Sequence, residues 1–336
     1  MKIINFDEAI KQAGEKKHLL LGNGFSIAFK KDIFSYKTLY EECLKSKDIS
    51  NKVKKLFDKF KTNDFEIIIK NLNDAARVLD IYSKNKDLIK QLKDDANILK
   101  ETLVKLLSDK HPSYPGEITD TQYEQCIKFI NNFDTIYTLN YDLLLYWVIM
   151  KNIGNGNRKY NDGFGYVDNQ AYVAWKPEGS NRPNVFYLHG ALHLFDAGSE
   201  IIKFTWINTG IKLIKQIREE LKKDHFPLFV AEGSSQEKMT KINHSQYLGK
   251  GIRSFSQIGG SLFIYGHSLS ENDSHYLDFI SKGKIKKLFI SLYNDGTEKQ
   301  KKINLEIESR AEQIKNKSSN IEIIFYDASS AKVWGE

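Results

Sequence analysis

The chain has 336 residues, of which 41% are hydrophobic, so it can bury a sizeable core as one large domain or as a domain that carries an insertion. Its two cysteines, Cys43 and Cys126, lie far apart in helix-like sequence, which excludes a disulfide framework and a cysteine zinc site. The 50 Lys and Arg against 43 Asp and Glu give a net charge of +7, spread thinly enough to favour solvated helix faces over a nucleic-acid surface.

Short apolar segments bounded by turn residues recur along the chain. Their apolarity is continuous rather than alternating, which is typical of strands covered on both faces. Helical spacing lies between several of them, including residues 123–130 and 211–217. This alternation predicts an α/β fold with a Rossmann-like, mostly parallel sheet and helices on both faces. The predicted strands are 18–21, 134–139, 184–189, 227–231, 261–265, 287–293 and 321–326.

Two stretches do not follow this alternation. Residues 36–110 contain no strand signal but keep helical spacing, and they predict a helical insertion closed by His111 and Pro112. The insertion divides the predicted Rossmann-like domain into residues 1–35 and 111–336. Residues 151–183 have glycine and asparagine turns with little periodicity, and they predict a loop or small-lobe region beside the active face.

The first predicted strand runs directly into the stretch GNGFS, residues 22–26, and then into a helical pattern. A strand followed by Gly-x-Gly and a helix lets a dinucleotide pyrophosphate approach the backbone. A purely structural explanation stays open, because strand-to-helix turns need glycine for their backbone geometry. Ile27 occupies the position of the third glycine of the dehydrogenase fingerprint, and no acidic residue ends a second strand about 20 residues later, so hydride transfer is disfavoured.

Polar or small residues also follow three later strands, in TLNYD at 138–142, YLHG at 187–190 and YGHSL at 265–269. Open α/β sheets bind ligands at the carboxyl ends of their strands. Four such ends on one side of a sheet predict one shared crevice.

These four motifs, in this order, resemble those of the sirtuin family, and more narrowly of bacterial sirtuin-like proteins that consume NAD in anti-phage defence. GNGFS is similar to the family's Gly-Ala-Gly-x-Ser phosphate loop, and TLNYD to its Thr-Gln-Asn-x-Asp motif. YLHG resembles the strand that ends in the catalytic His-Gly, and IYGHSLSENDSHYLDFI resembles the Gly-Thr-Ser-Leu segment in its bacterial form. The two Cys-x-x-Cys pairs of the deacylating sirtuins are missing, which removes their zinc-bound substrate lobe.

The resemblance implies a role for each matched residue. Asn140 and Asp142 would face the nicotinamide ribose and carboxamide, and His189 would accept a proton. Phe34 would cover the nicotinamide side, although Ser35 stands where the family has arginine. His267 replaces a residue that is usually small. The implied NAD-binding residues are Gly22, Asn23, Gly24, Phe25, Ser26, Phe34, Gly266, His267, Ser268, Asn294 and Asp327.

Two other interpretations of these residues stay open. Asn140 could cap the helix that the following residues predict. His189 and His193 could ligate a metal if both lay on one helix, but Gly190 interrupts the helical signal and no third ligand is evident.

The residue types also suit the cleavage of the bond between nicotinamide and ribose. A histidine with an ordinary pKa near 6.5 can act as a general base near neutral pH. The transition state should resemble an oxocarbenium ion, and it needs positioning of the reactants more than a strong acid.

We therefore expect an NAD glycohydrolase (NADase) that releases nicotinamide and ADP-ribose, with NAD as its substrate and no metal. The resemblance implies an effector of abortive infection that depletes NAD, activated by homo-oligomerisation or by a defence-system partner protein. The alternatives are a sensor that binds NAD or ADP-ribose without turnover, a zinc-less deacylase or ADP-ribosyltransferase, and a nucleic-acid-binding protein, although direct nucleic-acid binding is not expected. With no apolar run of 18 residues and no secretory leader, we expect a cytoplasmic location and no membrane contact.

Overall fold

The structure is a computed structural model that describes residues 2–83, 85–176, 182–205, 211–231, 234–318 and 320–335. Within these ranges the chain forms eleven β-strands and fourteen α-helices. The strands are β1 (Ile3–Ile4), β2 (Lys17–Leu21), β3 (Thr135–Thr138), β4 (Phe164–Tyr166), β5 (Tyr172–Trp175), β6 (Val185–Tyr187), β7 (Leu194–Asp196), β8 (Ile201–Phe204), β9 (Gly259–Tyr265), β10 (Lys284–Leu292) and β11 (Glu322–Asp327). The helices are α1 (Phe6–Gln12), α2 (Gly24–Phe29), α3 (Lys31–Phe34), α4 (Tyr36–Lys45), α5 (Asn51–Phe60), α6 (Phe65–Tyr82), α7 (Lys86–Lys110), α8 (Asp120–Ile130), α9 (Leu144–Gly154), α10 (Leu213–Lys222), α11 (Ser235–His244), α12 (Gln246–Ser256), α13 (Ser274–Lys282) and α14 (Glu298–Lys317).

Seven strands form one large sheet, in the order β1, β11, β10, β9, β2, β3 and β6, and every neighbouring pair is parallel. Three consecutive residues of β2, Leu19, Leu20 and Leu21, are fully buried. Because consecutive side chains of a strand point to opposite faces, both faces of the sheet are covered at this strand. The predicted α/β, Rossmann-like fold with a parallel sheet between helices is confirmed.

The predicted strand at residues 227–231 is wrong. This segment forms no strand of the large sheet, and Phe229 makes only a single antiparallel bridge to Gly190. The segment crosses the carboxyl end of β6, where the amide of Val230 donates to the carbonyl of His189 over 2.9 Å. Its apolar side chains are buried by packing across the end of the sheet, and such burial produces the same apolar run in the sequence as a strand does.

A second sheet contains four antiparallel strands, in the order β4, β5, β8 and β7. Its first two strands lie within residues 151–183, the predicted loop or small-lobe region, of which residues 177–181 lie outside the described ranges. Lys203 of β8 forms an ion pair with Asp162, and its ammonium lies 5.2 Å from the ring of Tyr146 on α9. These contacts hold the second sheet against α9. Strands of three or four residues are too short to show a clear period in the sequence.

Residues 36–110, the helical segment, contain α4, α5, α6 and α7, and no strand occurs among the described residues of this segment. Each helix follows a residue whose side chain accepts a hydrogen bond from a first-turn amide, namely Ser35, Ser50, Asp64 and Asn85. His111, directly after α7, accepts a hydrogen bond from the amide of Leu143 over 3.0 Å, which joins the end of the segment to the start of α9. No helix in the described parts of the chain is long and apolar enough to cross a bilayer.

Candidate functional site

A cavity of about 930 Å³ lies at the carboxyl ends of β2, β3, β6, β9 and β10. The turns after β2 and β9 and the residues that follow β3 and β6 line it on the side of the sheet. The helical segment lines it as well, through Tyr36, Asp64, Glu66, Leu103 and Leu107 among others. The strand ends singled out in the sequence therefore meet at one cavity, and the helical segment forms part of its wall.

The turn after β2 needs glycine because the turn after β9 packs directly against it. A Cβ atom on Gly22 would lie 2.6 Å from the carbonyl oxygen of Gly266, and one on Gly24 would lie 2.5 Å from the Cα of Gly266. The amide of Gly24 donates to the Gly266 carbonyl over 2.7 Å, and that of Gly22 donates to the Tyr265 carbonyl over 2.9 Å. Close packing between two turns thus explains these glycines, and their contact with a pyrophosphate stays a prediction.

Asn140, at the end of β3, ties its own strand to the turn after β2. Its amide nitrogen donates to the carbonyl of Gly22 and to the hydroxyl of Ser26, each over 3.0 Å. The Ser26 hydroxyl donates in turn to the carboxylate of Asp142, which also accepts from the amide of Leu144 over 2.9 Å. Asn140 and Asp142 line the cavity, whereas Ser26 is fully buried beneath them. Asp142, rather than Asn140, bonds the first turn of α9, and Ser26 holds both residues in place.

His189 follows β6 and is buried against the same cavity. Its ring stacks on that of Tyr141, with the centroids 6.2 Å apart and an interplanar angle of 23°. The Tyr141 hydroxyl donates to the Val230 carbonyl over 2.5 Å, so the segment that crosses the end of β6 holds both rings. Gly190 has a φ of +78°, and a Cβ atom there would lie 1.9 Å from the Leu228 carbonyl oxygen. Glycine is therefore needed at position 190 for the turn that directly follows His189.

A buried cluster of charges lies beside His189. Lys238 of α11, whose side chain is 0% exposed, donates over 2.8 Å to Glu66 of α6 and over 2.8 Å to Asp273. The other carboxylate oxygen of Asp273 accepts from Nε2 of His267 over 3.0 Å. Nε2 of His189 lies 3.6 Å from Asp273 Oδ1. Asp273 lies within the stretch that the resemblance quotes, but Glu66 and Lys238 are 172 residues apart and carry no local signal.

A protein-family model matches the chain over almost its whole length. A family model described as a domain of unknown function (DUF4917) matches residues 19–334. The chain belongs to this family. The match begins in β2 and extends beyond β11, so the strand ends around the cavity and the helical segment all lie within the DUF4917 domain. No curated protein matches the chain. The likeness of the four motifs to sirtuins therefore stays a prediction.

Burial and neighbouring charges set the protonation states in the DUF4917 cavity. Burial, with Lys238 nearby, holds the pKa of His189 well below its usual value, so the imidazole is neutral at pH 7. Burial alone would raise the pKa of Asp273, but Lys238 and the bond from His267 bring it well below the usual range. Burial raises the pKa of Glu66 to about 7 against the opposing charge of Lys238. Burial also raises the pKa of Asp142.

Three further predicted residues line the cavity. Asn23 lines it, and its side-chain amide donates to the carbonyl of Phe34 over 3.1 Å. Phe34 also lines it, with its ring edge-on to His111. Ser268 lines the cavity after the His267 turn, and its carbonyl accepts from Arg310 over 2.8 Å.

Besides Ser26, three predicted residues lie outside the cavity lining. Phe25 is buried in the core against the ring of Trp334, with the centroids 5.1 Å apart. Asn294 is exposed and accepts from the amide of Gly296, and Asp327 accepts from the amide of Ser329. A ligand role for these residues stays a prediction, and each of the three side chains already makes a contact within the fold.

The metal interpretation of His189 and His193 has no support from their positions. The two residues lie in the turns after β6 rather than on one helix. His193 is fully buried between the rings of Tyr146 and Tyr187, at centroid distances of 4.7 and 5.2 Å. Among the residues that the structure describes, no group of three His, Cys, Asp or Glu side chains is arranged to hold a metal ion.

Proposed function

We propose that this protein is an NAD glycohydrolase that cleaves the bond between nicotinamide and ribose to give nicotinamide and ADP-ribose. The observation that supports this most is the position of Asn140, Asp142 and His189. They follow the neighbouring strands β3 and β6 and line one cavity of about 930 Å³. Ligand pockets of about 300–1,000 Å³ hold molecules of this size, and open α/β sheets bind nucleotides at this edge.

The proposed reaction needs positioning and one base. The carbon–nitrogen bond breaks with its electron pair moving to nicotinamide, which leaves as a neutral molecule, and a water oxygen bonds to the anomeric carbon. Burial holds the pKa of His189 well below its usual value, so the ring is neutral at pH 7 and has an unprotonated nitrogen that can take the proton of that water. Asn140, whose amide nitrogen is directed to Gly22 and Ser26, would offer its carbonyl oxygen to a ribose hydroxyl or to the water.

The proposal extends to the biological role that the motif resemblance implies. The enzyme would deplete NAD during phage infection and would wait for homo-oligomerisation or a partner protein before acting. The end of α6 in the helical segment exposes Ile81 and Tyr82 at 83% and 85%, which makes it the first place to look for such a contact. A cytoplasmic location is consistent with two cysteines, Cys43 and Cys126, that are buried and free.

The test measures NAD loss and nicotinamide release by the purified protein, and NAD content after induction in cells. We compare the wild type with Asn140→Ala and His189→Ala, and with His244→Ala, which removes an exposed histidine at the end of α11. We expect His189→Ala to lose about 10²–10⁴-fold in rate and His244→Ala to match the wild type.

Each alternative has its own outcome in this experiment. Binding of NAD without turnover in either setting would support the sensor and overturn the glycohydrolase. Nicotinamide release only with an acyl-lysine peptide or a protein acceptor would support a deacylase or an ADP-ribosyltransferase. A salt-dependent affinity for DNA or RNA that survives His189→Ala would support nucleic-acid binding.

A further inference from the structure

The charge cluster around Asp273 is not used in the reaction described above. Its members come from three separate elements: Glu66 from α6, Lys238 from α11, and Asp273 from the 3-10 helix Glu271–Asp273. A lysine side chain that is completely removed from solvent is rare unless its charge is paired. Lys238 is paired twice, with both carboxylates at 2.8 Å. The chain thus maintains a costly buried arrangement at the edge of the cavity.

Asp273 lies between two imidazoles and an ammonium group. Its Oδ2 accepts from His267 Nε2, whose ring is oriented because Nδ1 accepts from the amide of Leu269 over 3.0 Å. Its Oδ1 accepts from Lys238 and lies 3.6 Å from Nε2 of His189. That nitrogen is buried and has no hydrogen-bond partner among the described residues. A separation of 3.6 Å is too long for a hydrogen bond of a neutral ring, but it brings strong attraction once the ring is positively charged.

We propose that Asp273, fixed by Lys238 and charge-balanced by Glu66, is a positioning residue that stabilises the protonated form of His189. This inference rests on the proposed function, in which His189 takes a proton from water. The positive charge then forms beside a carboxylate that is already oriented, as a buried aspartate does for the histidine of a hydrolytic triad. Asp273 would act on the transition state and leave the bound substrate unaffected.

The charge balance gives Glu66 its part. Besides the neutral rings of Tyr141 and Tyr276, the groups that face His189 are Asp273 and Lys238, whose charges oppose each other, and the two imidazoles of His267 and His275. Above about pH 7, where Glu66 is mostly ionised, the cluster of one lysine and two acids carries one net negative charge, which an imidazolium would neutralise. Without the charge of Glu66 the cluster is neutral, and the imidazolium would be uncompensated. The helical segment would therefore contribute to the basicity of His189 through one side chain.

The experiment compares Asp273→Asn and Glu66→Gln with Glu271→Gln, which removes an exposed carboxylate from the same 3-10 helix as Asp273. We expect Asp273→Asn to lower kcat about 10²-fold with KM changed less than about twofold, because its effect is confined to the transition state. Glu66→Gln should lower kcat about tenfold, and Glu271→Gln should match the wild type. In a His189→Ala background, Asp273→Asn and Glu66→Gln should cause no further loss.

Several results would overturn the proposal. These are an equal loss of kcat from Asp273→Asn with and without His189, a rise in KM at constant kcat, or an equal effect of Glu271→Gln. If Asp273→Asn fails to fold, Glu66→Gln decides, since Lys238 keeps its bond to Asp273 in that variant.

Nitrogen-15 spectra of histidine-labelled full-length protein give a readout that does not depend on turnover. Asp273→Asn should shift the Nε2 resonance of His189 and lower the pKa of this ring by about one to three units. Unchanged His189 resonances would sink the inference about Asp273. If Asp273→Asn changes the His189 resonances but the wild type never cleaves NAD, the proposed function is wrong and the inferred effect of Asp273 on His189 is kept.

Discussion

The two sides of the cavity are built in different ways. On the side of β2 and β3, the backbone amides of Gly22 and Gly24 bond the turn after β9, where a Cβ atom would have no room, and the Asn140 side chain bonds the Gly22 carbonyl. On the side of β6 and α11, His189 lies beside the buried charges of Lys238 and its two carboxylate partners. The first side depends on shape and the second on charge. Substitutions and pH changes should therefore affect the two sides by different routes.

The largest expected effect is on the charged side. Lys238→Met leaves Glu66 and Asp273 buried without a cation between them, and we expect the free energy of unfolding to fall by about 3–5 kcal/mol. Urea unfolding at pH 7 measures this. Lys250→Met, which removes an exposed lysine from α12, should stay within about 0.5 kcal/mol of the wild type. If both variants were equally stable, the pairing of Lys238 with Glu66 and Asp273 would contribute nothing to the free energy of unfolding.

Acidification should act through buried histidines, of which His189 and His275 lie on the charged side. Burial lowers the pKa of His189 and His193 well below the usual value and that of His111 and His275 to about 4. As pH falls below about 6.5, the unfolded chain takes up these protons before the folded chain does, so the free energy of unfolding decreases towards pH 5. Glu66 and Asp142 act oppositely, because burial raises the pKa of Glu66 to about 7 and raises that of Asp142 as well, so the folded chain holds these protons more tightly. Four histidines outweigh these two carboxyl groups, and stability should fall.

His193→Phe tests this pH dependence. His193 lies between two aromatic rings, and neither of its ring nitrogens has a hydrogen-bond partner among the described residues, so a phenyl ring can replace it. The slope of unfolding free energy against pH between 5 and 6.5 should become smaller in this variant. The exposed His244→Ala variant should keep the wild-type slope. Equal slopes in all three proteins would mean that His193 takes no part in acid destabilisation.

Gly24→Ala tests the side that depends on shape. Its new methyl group would meet the backbone of Gly266 at 2.5 Å, and we expect a loss of about 1–3 kcal/mol from the resulting strain. Gly14→Ala is the matched control, since nothing lies within 4 Å of a Cβ atom at Gly14. The loss at Gly24 should be the same at pH 5.5 and pH 7 and at low and high salt, unlike that of Lys238→Met. A loss that varied with salt would blur the distinction between the two sides.

The smallest effect should come from Asn294→Ala. Asn294 is exposed, does not line the cavity and bonds only the amide of Gly296 in its own loop among the contacts described. We expect unfolding free energy within about 0.5 kcal/mol of the wild type and a KM for NAD within about twofold. A rise in KM of tenfold or more would show that this loop closes over the nucleotide, and the ligand contacts would then extend beyond both sides of the cavity.

Much of the fold was predictable because burial leaves a local trace in the sequence. A strand such as β2 is covered on both faces, so its apolar run is continuous and ends at a turn. The same trace misled at residues 227–231, where apolar side chains pack across the end of β6 without joining the sheet. The short strands β4 and β5 left too few residues for any period to be visible.

The candidate site was predictable in the part that is built from strand ends. Asn140, Asp142 and His189 follow strands directly, and parallel strands bring their carboxyl ends to one edge, so their meeting at one cavity follows from the sheet. The role of Ser26 was not predictable from the sequence, because its hydroxyl bonds the buried carboxylate of Asp142 instead of lining the cavity.

By itself, the sequence determined six of the seven strands of the large sheet, the edge of the sheet that carries polar residues, and the glycine positions in the turns. These properties depend on neighbours along the chain, where side-chain period and backbone freedom act. Only the tertiary structure decided that Glu66, Lys238 and Asp273 form one buried cluster beside His189. Attraction between charges depends on their separation in space and on their removal from water. Neither quantity can be predicted from the sequence positions of Lys238 and its partners, Asp273 and Glu66, which are 35 and 172 residues away.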